Sequence, residues 1–462
     1  MLVFLTGMGC WVLSLLAVHQ IKLIVERTET EKIHNTLIAF FIINALVSAG
    51  NLISIMLETG SINPYTFTGL HRTYFIMTGD FIEGLSFDIS STNAVLCAFG
   101  VLYFLYKKVP VMFLVCVCTL FFTFSNLINL ILLFILLMIF IFKSNKVQKS
   151  LIIVCCAIYL VFMFKVSPQN GDYSIVSIKK NLLIKGKRVP TTVQLPLRER
   201  PDSTLSFEEK REKIATLYLD SVRANYKKQV LVVKGRVLDV PLTNKGRVII
   251  KDPDSGSMAN WLSPHRPFEI RRLLWFISVH PTTLPISNGK KTISKFPGKI
   301  GGLIQTFSFF GEHPSKLFTG MGIGNFSSKI AFRAAGLGIR GRYPENHTYI
   351  SPDFLSNHLD LYLSYFSKNP GFRTVSNNPF SVYDQLLSEY GLLGLLALIV
   401  FYFGFFIKQS GLLTYGIPIL AFVASIFFID YWFEQLSVML MAELMLFLNI
   451  KENKVLAETN EN

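Results

Sequence analysis

Leu127-Ile-Asn-Leu-Ile-Leu-Leu-Phe-Ile-Leu-Leu-Met-Ile-Phe-Ile-Phe142 carries one polar side chain, Asn129, and no charge. A helix that is apolar all round has no water-facing side, so it belongs in lipid or in a large core. Working outward from it, comparable runs recur at Leu2–Val25, Thr36–Leu57, Ser90–Tyr106, Val109–Thr123 and Leu151–Phe164. Beyond a long polar stretch come Leu392–Ile407, Leu412–Ile429 and Gln435–Ile450. Several fall short of the ~20 residues that a perpendicular span needs, so the expected count is about nine and up to about eleven. The composition agrees: of 462 residues, 51% are hydrophobic, only 16% are charged and 41 are Phe. Mean hydropathy is +0.44. That excludes disorder, a coiled coil and an ordinary soluble enzyme, which carries about 25% charged residues. The expected fold class is an all-α polytopic membrane protein with one large mixed α/β loop outside the membrane.

The charge is not spread evenly. Between Pro168 and Glu389 there are 32 Lys/Arg and 17 Asp/Glu, which accounts for the whole net charge of +15; the rest of the chain holds 13 of each. A neutral membrane frame therefore carries one basic insert, suited to attract anions such as lipid headgroups or phosphate-linked substrates. The expected organisation is an N-terminal transmembrane bundle (1–167), the large basic loop (168–390), C-terminal transmembrane helices (391–450) and a short tail (451–462).

Sidedness follows from the short loops. Lys22, Arg27 and Lys32 follow the first run, Lys107 and Lys108 the third, and Lys143, Lys146 and Lys149 the fifth. Lys408 follows the seventh, and Lys451 and Lys454 the ninth, while the alternate loops hold only Arg72 and Lys165 near their ends. All basic loops thus fall on one side, read as cytoplasmic, and the insert lies on the other. The first run begins at Met1 with no basic n-region and no small-residue cleavage site, and reads as an uncleaved span with its N-terminus outside. The cytoplasmic segments are too short for an ATP-binding or signalling domain, which weighs against a primary pump and a receptor kinase. Cys10, Cys97, Cys116, Cys118, Cys155 and Cys156 all sit in apolar runs. They read as core residues rather than disulfides or zinc ligands, and no metal or cofactor is expected. Glu443 is the one acid clearly inside an apolar run, and this near-absence of intramembrane charge argues against a proton-coupled carrier.

Within the insert, Leu182–Ile184, Val230–Val233 and Val248–Ile250 read as short strands, Ser206–Lys228 as a solvated helix and Asn244–Pro264 as a loop. Arg271 and Arg272 sit on an amphipathic stretch with Trp275. Further on, Gly320-Met-Gly-Ile-Gly-Asn-Phe326 is a glycine cluster, which reads either as a plain turn or as a backbone able to approach an anion closely. Arg333, Arg340 and Arg342 follow, with His347 and His358 beyond. Arginine forks suit a diphosphate, and a basic surface facing anionic lipid is the equal alternative.

Just before the seventh run, Asn377-Asn-Pro-Phe-Ser-Val-Tyr-Asp-Gln-Leu-Leu-Ser-Glu-Tyr-Gly391 places Ser381, Asp384, Gln385 and Ser388 on one stripe of a helix. A polar stripe leading into a span is expected at the membrane surface, facing a lipid headgroup. There Asp384 or Glu389 would serve as a general base or orient a hydroxyl, or simply favour the dipole of the helix N-terminus.

These residues carry a resemblance. Gly320–Phe326, followed by Tyr383-Asp-Gln-Leu-Leu-Ser-Glu-Tyr-Gly-Leu-Leu-Gly394 opening a span, is similar to the O-antigen ligase and polymerase superfamily of bacterial membrane proteins. Phe121-Phe-Thr-Phe-Ser-Asn126 resembles its Thr-x-Ser-Arg motif, with Asn126 where the family has Arg. The family's ligases carry a His eleven positions before the first glycine of the pair matched by Gly391 and Gly394; here that position is Phe380, followed by Ser381. Both departures favour a polymerase. The resemblance implies a protein of the bacterial inner membrane with its large loop in the periplasm. It would join lipid-linked repeat units of O-antigen, capsule or exopolysaccharide from undecaprenyl diphosphate. Arg333, Asp384 and His358 are the implied catalytic set, with Arg340, Arg342, Arg271, Arg272, Ser381, Gln385, Glu389 and Asn126 binding substrate. Implied partners are the undecaprenyl-diphosphate-linked oligosaccharide, membrane lipid, a flippase and a chain-length partner, and no nucleic acid. The alternatives are a ligase that transfers glycan to lipid A core and, from another class, a polysaccharide transporter or flippase. A flippase should show polar residues lining a cavity among its spans, or internal repeats, and neither is visible.

Overall fold

A computed structural model describes residues 2–66, 78–86, 88–167, 298–334, 351, 354 and 378–461, with backbone alone at 78, 332–334 and 459–461. Its helices are α1 (Leu2–Arg27), α2 (Thr30–Thr59), α3 (Ser90–Lys107), α4 (Pro110–Phe122), α5 (Asn126–Phe142), α6 (Lys146–Val161) and α7 (Gly298–Glu312). They continue with α8 (Lys316–Thr319), α9 (Lys329–Ala334), α10 (Val382–Ala397), α11 (Gly404–Lys408), α12 (Gly416–Ile426) and α13 (Leu436–Glu461). Among the described residues there is no strand. The three strand-like runs expected in the insert lie outside them, as do Arg271, Arg272, Arg340, Arg342, His347 and His358.

Each of the nine apolar stretches read from the sequence contains a helix, although Leu412–Ile429 is helical only in part, with its α-helix at Gly416–Ile426. Four helical stretches are long and apolar enough to cross a membrane: Leu2–Arg27, Thr30–Thr59, Lys146–Val166 and Val382–Lys408. Pro110–Phe122, Asn126–Phe142 and Gly416–Ile426 are apolar but shorter. The protein is thus a helical membrane protein, with four helices among the described residues long and apolar enough to span a membrane and further apolar helices that are shorter.

The chain forms two compact units, one made of Met1–Met8 with Gly186–Leu395 and the other of Gly9–Lys185 with Leu396–Asn462. The second is built around α3, in which every residue from Ser90 to Leu105 is buried. This explains why α3 carries Ser91, Thr92 and Asn93: it faces protein, where buried polar groups find partners. Asn44 Nδ2 donates to Asn93 Oδ1 (2.8 Å), and Asn93 Nδ2 donates to Ser48 Oγ (3.0 Å) and Ile82 O (3.1 Å). Outward faces are the reverse, with Leu13, Leu16, Leu46, Phe134, Leu137 and Phe142 exposed. Polar inside and apolar outside is the pattern lipid demands. The same logic corrects the cysteine reading, since Cys97, Cys116 and Cys155 are buried but Cys10, Cys118 and Cys156 are exposed on outward helix faces.

The loops after α1, α3 and α11 meet the tail of α13 at one end of this unit. Lys107 pairs with Glu452, and Asn453 Nδ2 donates to Leu412 O (3.0 Å). Lys451 Nζ donates to Val25 O (2.8 Å) and Thr28 O (2.7 Å), so a cation closes the carbonyl end of α1. Lys451→Met should therefore cost about 1–2 kcal/mol of stability, read as a lower melting temperature in detergent, because those carbonyls lose a charged donor.

Candidate functional site

The first unit brings together the two segments that carry the resemblance. Helix α10 begins at Val382, and its polar stripe does not face solvent: Ser381, Asp384, Gln385 and Ser388 are all buried. The partners of Asp384 come from elsewhere in the unit, whereas Ser388 Oγ donates to Gln385 O of its own helix (3.3 Å). Thr306 of α7 donates to Asp384 Oδ1 (2.7 Å) and Ser327 donates to Asp384 Oδ2 (2.9 Å). The expected placement of this stripe against a headgroup is thus overturned for the described residues. A stripe of one polarity shows which side chains share a face, but not whether that face meets water or other polar side chains.

Lys299, near the start of α7, is only 4% exposed. Its Nζ donates to Asn378 Oδ1 and to Phe380 O (2.7 Å), and its charge bears on Asp384. This cation was missed in the sequence, though a signal exists. On α7 the buried positions Lys299, Gly302, Thr306, Phe309 and Phe310 follow helical spacing. A lysine and a threonine on an otherwise apolar face announce polar partners.

The glycine cluster does cradle an anion, and the anion is the chain's own Glu389. Glu389 Oε2 accepts from the Gly324 N–H (2.7 Å), and Oε1 accepts from the N–H groups of Phe326 and Ser328 (both 2.9 Å). Backbone amides converging on one carboxylate form the concave anion nest that such loops favour. Glu389 is 1% exposed, so its oxygens are enclosed and serve the loop. The backbone adds two bonds, from Met321 N–H to Ser388 O (2.9 Å) and from Gly322 N–H to Glu389 O (2.8 Å). Ser328 Oγ then accepts from the Ala331 N–H (3.1 Å), capping α9, the helix that carries Arg333.

Two glycines make this approach feasible. Gly320 and Gly391 both take φ +69°, and Gly391 interrupts the helical geometry of α10. A Cβ on Gly391 would lie 2.3 Å from Phe318 O, and one on Gly320 would lie 2.3 Å from the Glu389 carbonyl carbon. Gly391→Ala combines a glycine-only conformation with a backbone clash and should cost at least ~3 kcal/mol. Unchanged thermal melting of that variant would contradict the packing described. Beneath the crossing, Phe309, Phe310, Phe326 and Leu387 form a small core. Val3 and Gly7 of α1 press on Gly324 and Ile323 from the other side.

No known family model, curated protein or solved structure matches this chain. What stands is the geometry: a rigid junction of α7, the glycine loop, α9 and α10. Among the described residues, Asp384, Ser381, Gln385 and Glu389 come together here, with Arg333 on the adjoining helix. Asn126 opens α5 in the other unit. No group of three or more His, Cys, Asp or Glu side chains gathers to hold a metal among the described residues.

Proposed function

We propose that the protein is a membrane glycosyltransferase that polymerises undecaprenyl-diphosphate-linked oligosaccharide repeat units at the periplasmic face of a bacterial inner membrane. The observation that carries the reading is the interlock of Gly320–Ser328 with Glu389–Gly391. The segments that resemble the polymerase family are far apart in sequence, yet they form one built unit around a shared carboxylate. In this reading the unit holds α9 so that Arg333 grips the donor diphosphate and stabilises its departure. Glu389 supports the loop rather than the substrate. Asp384, with both oxygens taken by hydroxyls, braces the junction from the α7 side. Any proton it accepts from an acceptor hydroxyl would pass through Ser327 or Thr306.

Deleting the gene in the native host and sizing the surface glycan and its lipid-linked intermediates tests this. Single repeat units without a long-chain ladder are expected. Full-length polymer stranded on undecaprenyl diphosphate would make the protein a ligase, and an unchanged profile would remove both readings. Complementation with Arg333→Ala should restore the protein to the membrane but not the ladder. A full ladder from that variant would remove Arg333 from the chemistry.

A further inference from the structure

The lysine-rich end of the second unit holds a cavity of about 650 Å³. The start of α2, the end of α3, the start of α6, the start of α12 and the tail of α13 line it, and it is open to the surface. Its charged lining is Lys107, Lys108 and Glu452. Glu452 already engages Lys107 and also accepts from the Tyr415 hydroxyl (3.0 Å). Lys107 is further fixed over the rings of Tyr103 (5.7 Å) and Tyr415 (5.4 Å). The wall therefore carries a net single positive charge, presented by Lys108. Neutral hydrogen-bonding groups such as Thr30 and Asn453 complete it. On the α13 side the lining turns apolar, where Val455 and Leu456 are 53% and 58% exposed.

We propose that this pocket takes the headgroup of an anionic phospholipid, with its phosphodiester at Lys108. Two features select that occupant. A phosphodiester carries one negative charge and matches the net charge of the wall, whereas a free phosphate monoester at neutral pH carries nearly two. Basic pockets between helix ends on the lysine-rich side of a membrane protein are where anionic lipids bind. The inference is independent of the glycosyltransferase reading, because it concerns other residues and another ligand.

The test uses the full chain in nanodiscs. Wild type, Lys108→Gln and Lys22→Gln are melted in phosphatidylcholine alone and in phosphatidylcholine with one quarter phosphatidylglycerol. A third arm adds soluble glycerophosphoglycerol to phosphatidylcholine discs. Lys22 lies near the same end but outside the cavity, beside Glu26. Phosphatidylglycerol should raise the melting temperature of wild type and of Lys22→Gln. In Lys108→Gln the preference for the anionic lipid should fall roughly fivefold. Equal losses in both variants would mean a diffuse basic surface and would overturn the site, as would no lipid effect on wild type. A full rise from the soluble headgroup would overturn the lipid in favour of a free anion. If Lys108→Gln melts lower even in phosphatidylcholine, native mass spectrometry of detergent-purified wild type decides. One retained phosphatidylglycerol per chain supports the site, and none overturns it.

Discussion

Glu389→Gln should cost about 3 kcal/mol of stability and open the loop at Gly320–Ser328 to protease, although the side chain keeps its size. The amide oxygen can still accept from Phe326 and Ser328, but the amide nitrogen then points a donor at the Gly324 N–H. A buried donor facing a donor loses its bond and its solvation together, which is the costly half of hydrogen-bond energetics. Glu389→Ala removes all three bonds and leaves a void against Phe326 as well. Against a typical total of ~5–15 kcal/mol, that variant should not yield folded protein. Thermal melting in detergent with limited proteolysis reads both. Wild-type behaviour from Glu389→Ala would show that the loop stands without its carboxylate. The consequence for function runs through Ser328, whose N–H meets Glu389 and whose hydroxyl caps α9. Loosening the carboxylate frees the helix that bears Arg333, so any activity should fall with the melting temperature rather than independently of it.

The membrane frame was readable because lipid imposes a local rule. An all-apolar run such as Leu127–Phe142 needs no knowledge of its neighbours to be placed on a helix. How many such helices cross is less local, since α3 is sheltered by protein on every side and tolerates Ser91, Thr92 and Asn93 at its start. The stripe Ser381, Asp384, Gln385 and Ser388 was likewise readable, because helical spacing alone puts those residues on one face. Its environment was not. The hydroxyls that meet Asp384 stand 78 and 57 positions away, and the amides that meet Glu389 stand 61 to 65 away. A local pattern such as Thr306 on the apolar face of α7 announces that a polar partner exists, but not which residue at such range supplies it. The glycines of Gly320–Phe326 read either as a plain turn or as a backbone that approaches an anion, and the loop does close on the Glu389 carboxylate. They carried no information on whether the anion is a ligand or a side chain of the same fold.

The buried pair of Lys299 and Asp384 offers the sharper test of that fold. Each charge is almost completely removed from water, and a buried ion without its counter-charge is worth several kcal/mol of destabilisation. Lys299→Met should therefore cost ~3–5 kcal/mol. It removes the cation that bears on Asp384 and also abandons Asn378 Oδ1 and Phe380 O. Asp384→Asn should cost somewhat less, because an amide can still accept from Thr306 while the Ser327 hydroxyl turns to accept in its place. The double variant Lys299→Met with Asp384→Asn leaves no uncompensated charge, so its loss should be smaller than the two single losses added together. A coupling of ~1–3 kcal/mol, measured by denaturant melts of all four proteins, is expected for groups in one network. Strict additivity would mean that the two charges do not feel each other, and that α7 and α10 are held by Thr306 and the phenylalanine core alone. Coupling of the expected size would instead make Lys299 part of the same device as Glu389. Two buried carboxylates on α10 would then each meet a compensating group from a distant segment, and together they would fix the helix before it enters its apolar run at Leu392.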